Sequence, residues 1–275
     1  MISAQALACT VCGGPAHRES GFRDIALYRC ERCGHCFTDV AGLEHLAEYD
    51  DAWEALHTNW FDNPNIELFD LVATTIERHK LDARVIDVGA GRGELLDYLR
   101  KRDPKLQLTG LDISLHPEIE GVEFISGDFA DTDCGDRRWD VVVSLATIEH
   151  VADVRAFASR LRDVLEPGGL AITMTLDDRS VLYAVARLLN RVGYRVPFER
   201  LYDRFHLNHF TSRSLRTLLE DAGLETVAHH HHNIPISAVD LPTESSILRA
   251  GVWGTFVLGR LTGRMYLQTI VSRAR

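Results

Sequence analysis

Short apolar runs alternate along this chain with stretches whose apolar positions recur every three or four residues, the patterns of buried strands and of amphipathic helices. Ile66, Phe69, Val72, Ala73 and Ile76 predict a helix over Asn65 to His79. Val85-Ile86-Asp87-Val88 follows as a buried strand, then Gly89, Gly91 and Gly93 predict a turn, and Glu94 to Arg100 a helix that opens on an acid. Further strands are predicted from Leu106 to Asp112, from Val122 to Phe129 with an acid and an aromatic at its carboxyl end, and from Trp139 into a loop carrying His150. A helix is expected to stop at Pro167-Gly168-Gly169, with a fifth strand through Leu170 to Met174. An apolar helix is expected from about Ser180 to Val192, and another, capped by Thr211 or Ser212, ends at Ala222-Gly223. A sixth strand at Leu224 to Ala228 and a last one at Met265 to Val271 complete the pattern, with a helix or lid in the intervening 241–264. His229 to His232 is expected as a solvated loop; on an extended chain adjacent histidines alternate faces, so at most two could meet one ligand. Strands alternating with helices imply a doubly wound α/β sheet.

A strand that stops at a glycine turn and restarts as a helix lets backbone N–H groups approach a ligand without Cβ atoms in the way. The dinucleotide fingerprint G-x-G-x-x-G would need a third glycine where Glu94 stands, which argues against NAD. Asp112 closes the next strand roughly 20 residues after the glycines, where such sheets place a carboxylate on ribose hydroxyls. Acids and turns at the ends of successive strands gather on one sheet edge, where open α/β folds bind ligands.

The D-x-G-x-G-x-G phrase from Asp87 to Gly93, Asp112 after the second strand, Asp128-Phe129 after the third and the Pro-Gly-Gly turn at 167–169 together resemble class I S-adenosylmethionine-dependent methyltransferases. The resemblance implies a Rossmann-like seven-stranded sheet whose last strand runs antiparallel between the fifth and sixth. It also implies a cofactor site of Asp87, Gly89, Gly91, Gly93, Asp112, Ile113, Asp128, Phe129, Ser144 and Leu145, the aromatic Phe129 and Asp128 serving the adenine. Methyl transfer needs an aligned acceptor and, for a hydroxyl or carbon acid, a base. Histidine suits that role, and His150, His206 and His209 are the candidates. Some relatives bind a divalent ion through Glu-x-x-Glu-His; here the earlier Glu position is Ala146, which disfavours metal-dependent catalysis.

Cys9-Thr10-Val11-Cys12 and Cys30-Glu31-Arg32-Cys33 form two C-x-x-C knuckles, the pattern of a structural zinc held by Cys9, Cys12, Cys30 and Cys33. A four-thiolate site has no open position, so it staples a segment too small to fold alone and does not activate water. Cys36 could compete as a ligand but is expected as a small buried hydrophobe, and Cys134 is given no role. A ribbon ending in C-G-H-x-F, followed by an acidic-aromatic linker and this core, resembles bacterial small-molecule methyltransferases that include deoxysugar C-methyltransferases; ribosomal RNA guanine methyltransferases are the competing relatives.

The expected layout is a zinc ribbon over 1–42, a helical linker or lid over 43–80 with Tyr49, Trp53 and Trp60, and the methyltransferase domain over 81–275, with 177–210 as a substrate-binding insertion. Net charge −10 repels a phosphate backbone, so nucleic acid is disfavoured and a small-molecule acceptor favoured, although arginines cluster at Arg187, Arg191, Arg195, Arg200 and Arg204. The start lacks the features of a signal peptide and no stretch is apolar enough to span a bilayer, so a cytoplasmic monomer or homodimer without a membrane partner is expected. Three functions follow: small-molecule O- or C-methylation, RNA base methylation, or a cofactor-binding module that has lost catalysis.

Overall fold

The computed structural model describes residues 7–22, 25–40, 58–114, 118–241 and 245–275. Tyr49, Trp53 and most of the 43–80 linker's first half lie outside the described residues, as do the first residues of the ribbon.

Seven strands build the main sheet: β5 (Arg84–Val88), β6 (Gln107–Asp112), β7 (Val122–Ser126), β8 (Trp139–Leu145), β9 (Leu165–Leu176), β11 (Leu224–His232) and β12 (Leu267–Ala274). Their spatial order is β11-β12-β9-β8-β5-β6-β7, and β12 pairs antiparallel with both β9 and β11 while β5 to β9 run parallel. The central strand β8 is buried from Trp139 to Ser144, as a parallel strand covered on both faces must be. Helices α2 (Ile66–His79), α3 (Glu94–Arg102), α4 (Val154–Asp163) and α7 (Ser212–Asp221) supply those covers. In α2 Phe69, Val72, Ala73 and Ile76 of the predicted stripe are buried together with Leu68, while Ile66, at the first turn, is exposed; the Asn65 side chain caps the start by accepting from Leu68 N.

Two expectations change. The Pro-Gly-Gly phrase is not a helix stop: α4 ends at Asp163, and β9 already pairs at Leu165 with Trp139 before a register shift. Gly168 takes φ +79°, and a Cβ on Gly169 would lie 2.9 Å from the carbonyl oxygens of Asp140 and Glu166, so the phrase is a bulge that lets the strand pass close to its neighbour. The four histidines are not a solvated loop either. His229 to His232 continue β11 in register with Ile270 to Leu267, half-buried, with the His229 and His231 rings 4.4 Å apart on one face and His232 Nε2 2.8 Å from Thr269 Oγ1. The ladder to β12 satisfies their backbone, which a polar-looking sequence does not reveal.

The remaining strands, β1 (Leu7–Ala8), β2 (Pro15–Phe22), β3 (Ile25–Cys30), β4 (Cys36–Thr38) and β10 (Asn208–His209), make a second sheet in that order. Its fifth strand comes from residues 177–210, the stretch expected as an insertion: Asn208 pairs with Phe37 and His209 with Cys36. Two helices of the insertion, α5 (Val181–Arg191) and α6 (Val196–Leu201), pack together, and α5 also packs against α8 (Ser246–Thr262), the helix expected in 241–264. A short helix α1 (Thr58–Asp62) precedes α2.

Candidate active site

The carboxyl ends of β5 and β6 form the turn that the glycines announce. Gly89, Gly91 and Gly93 take φ of +76°, +53° and +78°, the left-handed region that glycine enters without strain. At Gly89 a Cβ would stand 2.2 Å from Thr147 Oγ1, so the site also excludes a side chain sterically. Asp112 closes β6 and its carboxylate accepts from Gly91 N and Ser114 N, both at 2.8 Å, which fixes it beside the turn. Asp87 is buried and its Oδ1 has no hydrogen-bond partner among the described residues. Burial, reinforced by Asp112 and Glu94, pushes its carboxyl up to about 8.

Asp87, Gly89, Gly91 and Leu145 line one pocket. Sequence reasoning placed them at the cofactor site; it missed Phe61, Leu68, Met174 and Ile234, which line the same pocket. Trp60, an expected lid aromatic, lines the same pocket, and the Arg92 guanidinium lies 4.5 Å from the Phe61 ring centre. Ser144 is buried in β8 one residue before Leu145. Ile113 is exposed just past Asp112. Asp128 turns its carboxylate to Ala130 N at 2.8 Å, while the Phe129 ring is buried edge-on against Phe157, 5.4 Å between centres. Neither of that pair is among the lining residues.

Beyond Leu145, β8 gives way to a short 3₁₀ turn, Ile148–His150, that brings Glu149 and His150 against the insertion. Carboxylate and ring atoms of Glu149, His150 and His206 lie within 4.8 Å of one another. The His150 and His206 rings stack at 4.8 Å, and His150 Nδ1 lies 2.9 Å from the Phe205 carbonyl oxygen. A carbonyl only accepts, so Nδ1 is assigned the proton and Nε2 the accepting lone pair. His206 Nδ1 is 3.3 Å from Asp203 Oδ2. Burial works against its charge, but Asp203 and then Glu149 outweigh it and raise the imidazole above its ordinary range. Glu149 is buried, and its Oε2 accepts from Thr175 Oγ1 at 2.7 Å; burial pushes its carboxyl up against His206 and Thr175. Asp203 and Thr175 carry no motif that would have flagged them.

His209 stands apart from that pair in character. It is fully buried, its Nδ1 3.3 Å from Tyr183 Oη and its ring 4.4 Å from that of Tyr202, and burial drops its imidazole to about 3. It belongs to the layer where ribbon and core meet. Asn208 beside it bridges His35 Nε2 at 3.1 Å and, through its Nδ2, the Val151 carbonyl at 2.7 Å, so ribbon and His150 loop share one support.

The ribbon's two knuckles fold alike. Gly13 N donates to Cys9 O and Gly34 N to Cys30 O, at 2.9 and 3.0 Å, with both glycines at positive φ. Four Sγ atoms converge within 4.8 Å, Cys9 to Cys33 at 3.7 Å and Cys12 to Cys30 at 3.5 Å. A tetrahedral zinc with Zn–S bonds of about 2.3 Å needs sulfurs roughly 3.8 Å apart, so the donor set fits that ion. Cys36, fully buried, is outside the cluster.

The chain matches the family model for a methyltransferase domain over residues 62–229. It is 29% identical over 164 residues to a ubiquinone biosynthesis O-methyltransferase of Ruegeria pomeroyi, covering 55% of this chain and 63% of that one. It is also 31% identical over 135 residues to a trans-aconitate 2-methyltransferase of Acidovorax, covering 44% and 46%. In both, the match spans less than two thirds of the relative's own length. The plantazolicin methyltransferase BpumL, solved with a substrate analogue and S-adenosylhomocysteine, shares the fold at TM-score 0.54 and 17% identity, over 82% of this chain and 92% of that one. No described helix is long and apolar enough to cross a membrane. With the sheet order, the glycine turn and the matched domain agreeing, this chain belongs to the methyltransferase-domain family, in its class I, S-adenosylmethionine-dependent group.

Proposed function

We propose that the protein methylates an oxygen or carbon of a small-molecule acceptor. The observation that carries this reading is the convergence within 4.8 Å of an acid–base group, Glu149 and His150 from the loop that leaves the pocket wall at Leu145 and His206 from the segment packed against it. The bound cofactor supplies an electrophilic methyl on a sulfonium. Asp112 would hold the ribose hydroxyls, and Asp87, whose buried Oδ1 has no hydrogen-bond partner among the described residues, would meet the cationic amino-acid end of the cofactor, regaining its charge there. Trp60 and Phe61 would exclude water from the transfer path.

His150 takes the acceptor's proton at Nε2, since Phe205 O holds Nδ1. His206, paired with Asp203, positions that ring by stacking and neutralises Glu149. His209 is a packing residue. The cysteine cluster holds a structural zinc that organises residues 9–34, and through β10 and Asn208 the ribbon braces the His150 loop. Net charge −10 supports a small acceptor over RNA.

The test is release of S-adenosylhomocysteine by the zinc-loaded protein across phenolic, carboxylic and sugar-nucleotide acceptors, compared with His150→Ala. Replacing the base should lower turnover by about 10²–10⁴-fold and leave cofactor affinity unchanged. Cofactor binding without turnover of any acceptor would overturn the enzymatic reading, and equal turnover by the variant would remove His150 as base.

A further inference from the structure

Exposed apolar side chains are not scattered over this protein. Of the 14 large apolar side chains that face solvent among the described residues, nine lie on residues 185–196 and 247–261, which hold most of α5 and α8. On α5, Val185, Leu188 and Val192 recur at helical spacing on the outer side. On α8 the outer face is more apolar than the buried one: Ile247, Leu258 and Leu261 form a stripe, with Trp253 beside it, whereas only Phe256 and Gly259 are fully covered. Ile247 is 85% and Leu261 79% exposed, values a monomeric surface helix seldom shows for adjacent stripes. The two helices lie side by side, and Val181 N donates to Arg264 O at 3.0 Å, which ties the start of α5 to the end of α8.

The charges around this face are equally one-sided. Segments 181–198 and 246–264 contain Arg187, Arg191, Arg195, Arg249, Arg260 and Arg264 and no acid, within a chain of net charge −10. Arg187 is turned inward to Asp178, but Arg191, Arg195, Arg260 and Arg264 are exposed at the two ends of the pair. An apolar face rimmed by cations is the composition that lies in the headgroup region of a bilayer. A second copy of the chain is a poorer occupant, because a two-fold contact would set each arginine cluster against its own image.

We propose that the α5–α8 face docks this protein on an anionic phospholipid surface, lying on the membrane without crossing it. The face adjoins the pocket: Asn233 Nδ2 donates to Phe256 O at 3.3 Å and Arg249 Nη1 to Ile236 O at 3.3 Å, and Ile234 and Pro235 line the pocket wall.

The experiment is flotation of the full-length, zinc-loaded protein with phosphatidylglycerol–phosphatidylcholine vesicles and with pure phosphatidylcholine, read beside quenching of tryptophan emission by brominated lipid. The expected result is binding to the anionic vesicles at least about tenfold stronger than to the neutral ones, weakened by salt. Quenching should be lost in Trp253→Phe. The double variant Leu258→Glu/Leu261→Glu, at positions that support no core, should abolish flotation with its melting temperature unchanged. Absence of flotation, flotation indifferent to the double variant with no Trp253 quenching, or a dimer in sedimentation that the double variant dissociates, would each overturn the proposal. If the variant fails to fold, wild-type quenching at Trp253 decides.

Discussion

Asp178 offers the sharpest test of how ribbon and core are joined. It is fully buried, yet its carboxylate draws cations from distant parts of the chain: Oδ2 accepts from Arg29 Nη1 at 2.7 Å, and Oδ1 from Arg187 Nη1 at 3.1 Å and Tyr202 Oη at 2.5 Å. Burial alone would raise this carboxyl, but Arg29 and Arg187 outweigh it and hold it below the ordinary range. Asp178→Asn keeps the shape and removes the charge that both guanidiniums face. Removing one partner of a buried pair costs about 3–5 kcal/mol, and here the lower end applies, about 3 kcal/mol, because other partners remain. Arg29 keeps Glu19 at 2.7 Å and the Gly34 carbonyl at 3.0 Å. For a domain of this size about 2 °C accompanies each kcal/mol, so thermal unfolding should begin roughly 6 °C lower. The pH dependence has a definite sign. A depressed native pKa contributes stability that is complete above the unfolded carboxylate value, about 3.9, and is lost as pH falls through the native value. The gap between wild type and variant should hold from neutral pH down to about 4 and close only below it. Circular dichroism melts of the zinc-loaded proteins measure this, and faster amide exchange in residues 25–40 would locate it. A melting temperature within about 1 °C of wild type at neutral pH would refute the clamp.

Four further outcomes are expected. Asp112→Ala should weaken cofactor binding by about 1–3 kcal/mol in calorimetry through lost charge-assisted hydrogen bonds, and no loss would remove Asp112 from the residues that hold the cofactor. Gly89→Ala should abolish cofactor binding, because its Cβ meets Thr147 Oγ1 at 2.2 Å and its φ of +76° is strained for alanine; Thr147→Ser would not relieve it, since the hydroxyl remains. Cys9→Ser should release zinc, read by metal analysis, and raise proteolysis of the ribbon, while unchanged metal content would show the ligand assignment to be wrong. His206→Gln should lower turnover less than His150→Ala and change the acid limb of the pH–rate profile, since the Asp203-paired imidazole titrates above the ordinary range; an unaltered profile would separate His206 from the chemistry.

Much of the sheet was legible because its strands are rich in Val, Ile and Leu and several end in an acid or a glycine turn. Val85 to Val88 had to be buried, and three alternate glycines had to turn. The antiparallel last strand came with the family resemblance rather than from any local signal. What escaped was everything decided by pairing across long separations. Asn208 and His209 form two residues of strand because Phe37 and Cys36 offer an open edge some 170 positions earlier, and nothing in a two-residue stretch announces that. His229 to His232 escaped for the same reason, polar side chains on a strand whose partner β12 is dictated by topology.

The two misses have a common consequence for the site. Pairing of β10 with β4 carries residues 203–210 against the ribbon, so the stretch that supplies Asp203, Phe205 and His206 to the His150 loop is anchored at its far end by the module in which four cysteine sulfurs converge. A ribbon that merely decorated the core would leave Phe205 O free to move, and with it the tautomer of His150. Because β10 is an edge strand only two residues long, its pairing alone is weak. The bond from Thr211 Oγ1 to Cys33 O at 3.1 Å and the Asn208 bridge are what fix its register beside the knuckle. Metal loss should therefore reach the acid–base group through the chain rather than through space. Chelation would lower turnover before it lowers cofactor affinity, because the glycine turn at 89–93 and Asp112 hang on β5 and β6, which the ribbon sheet does not join.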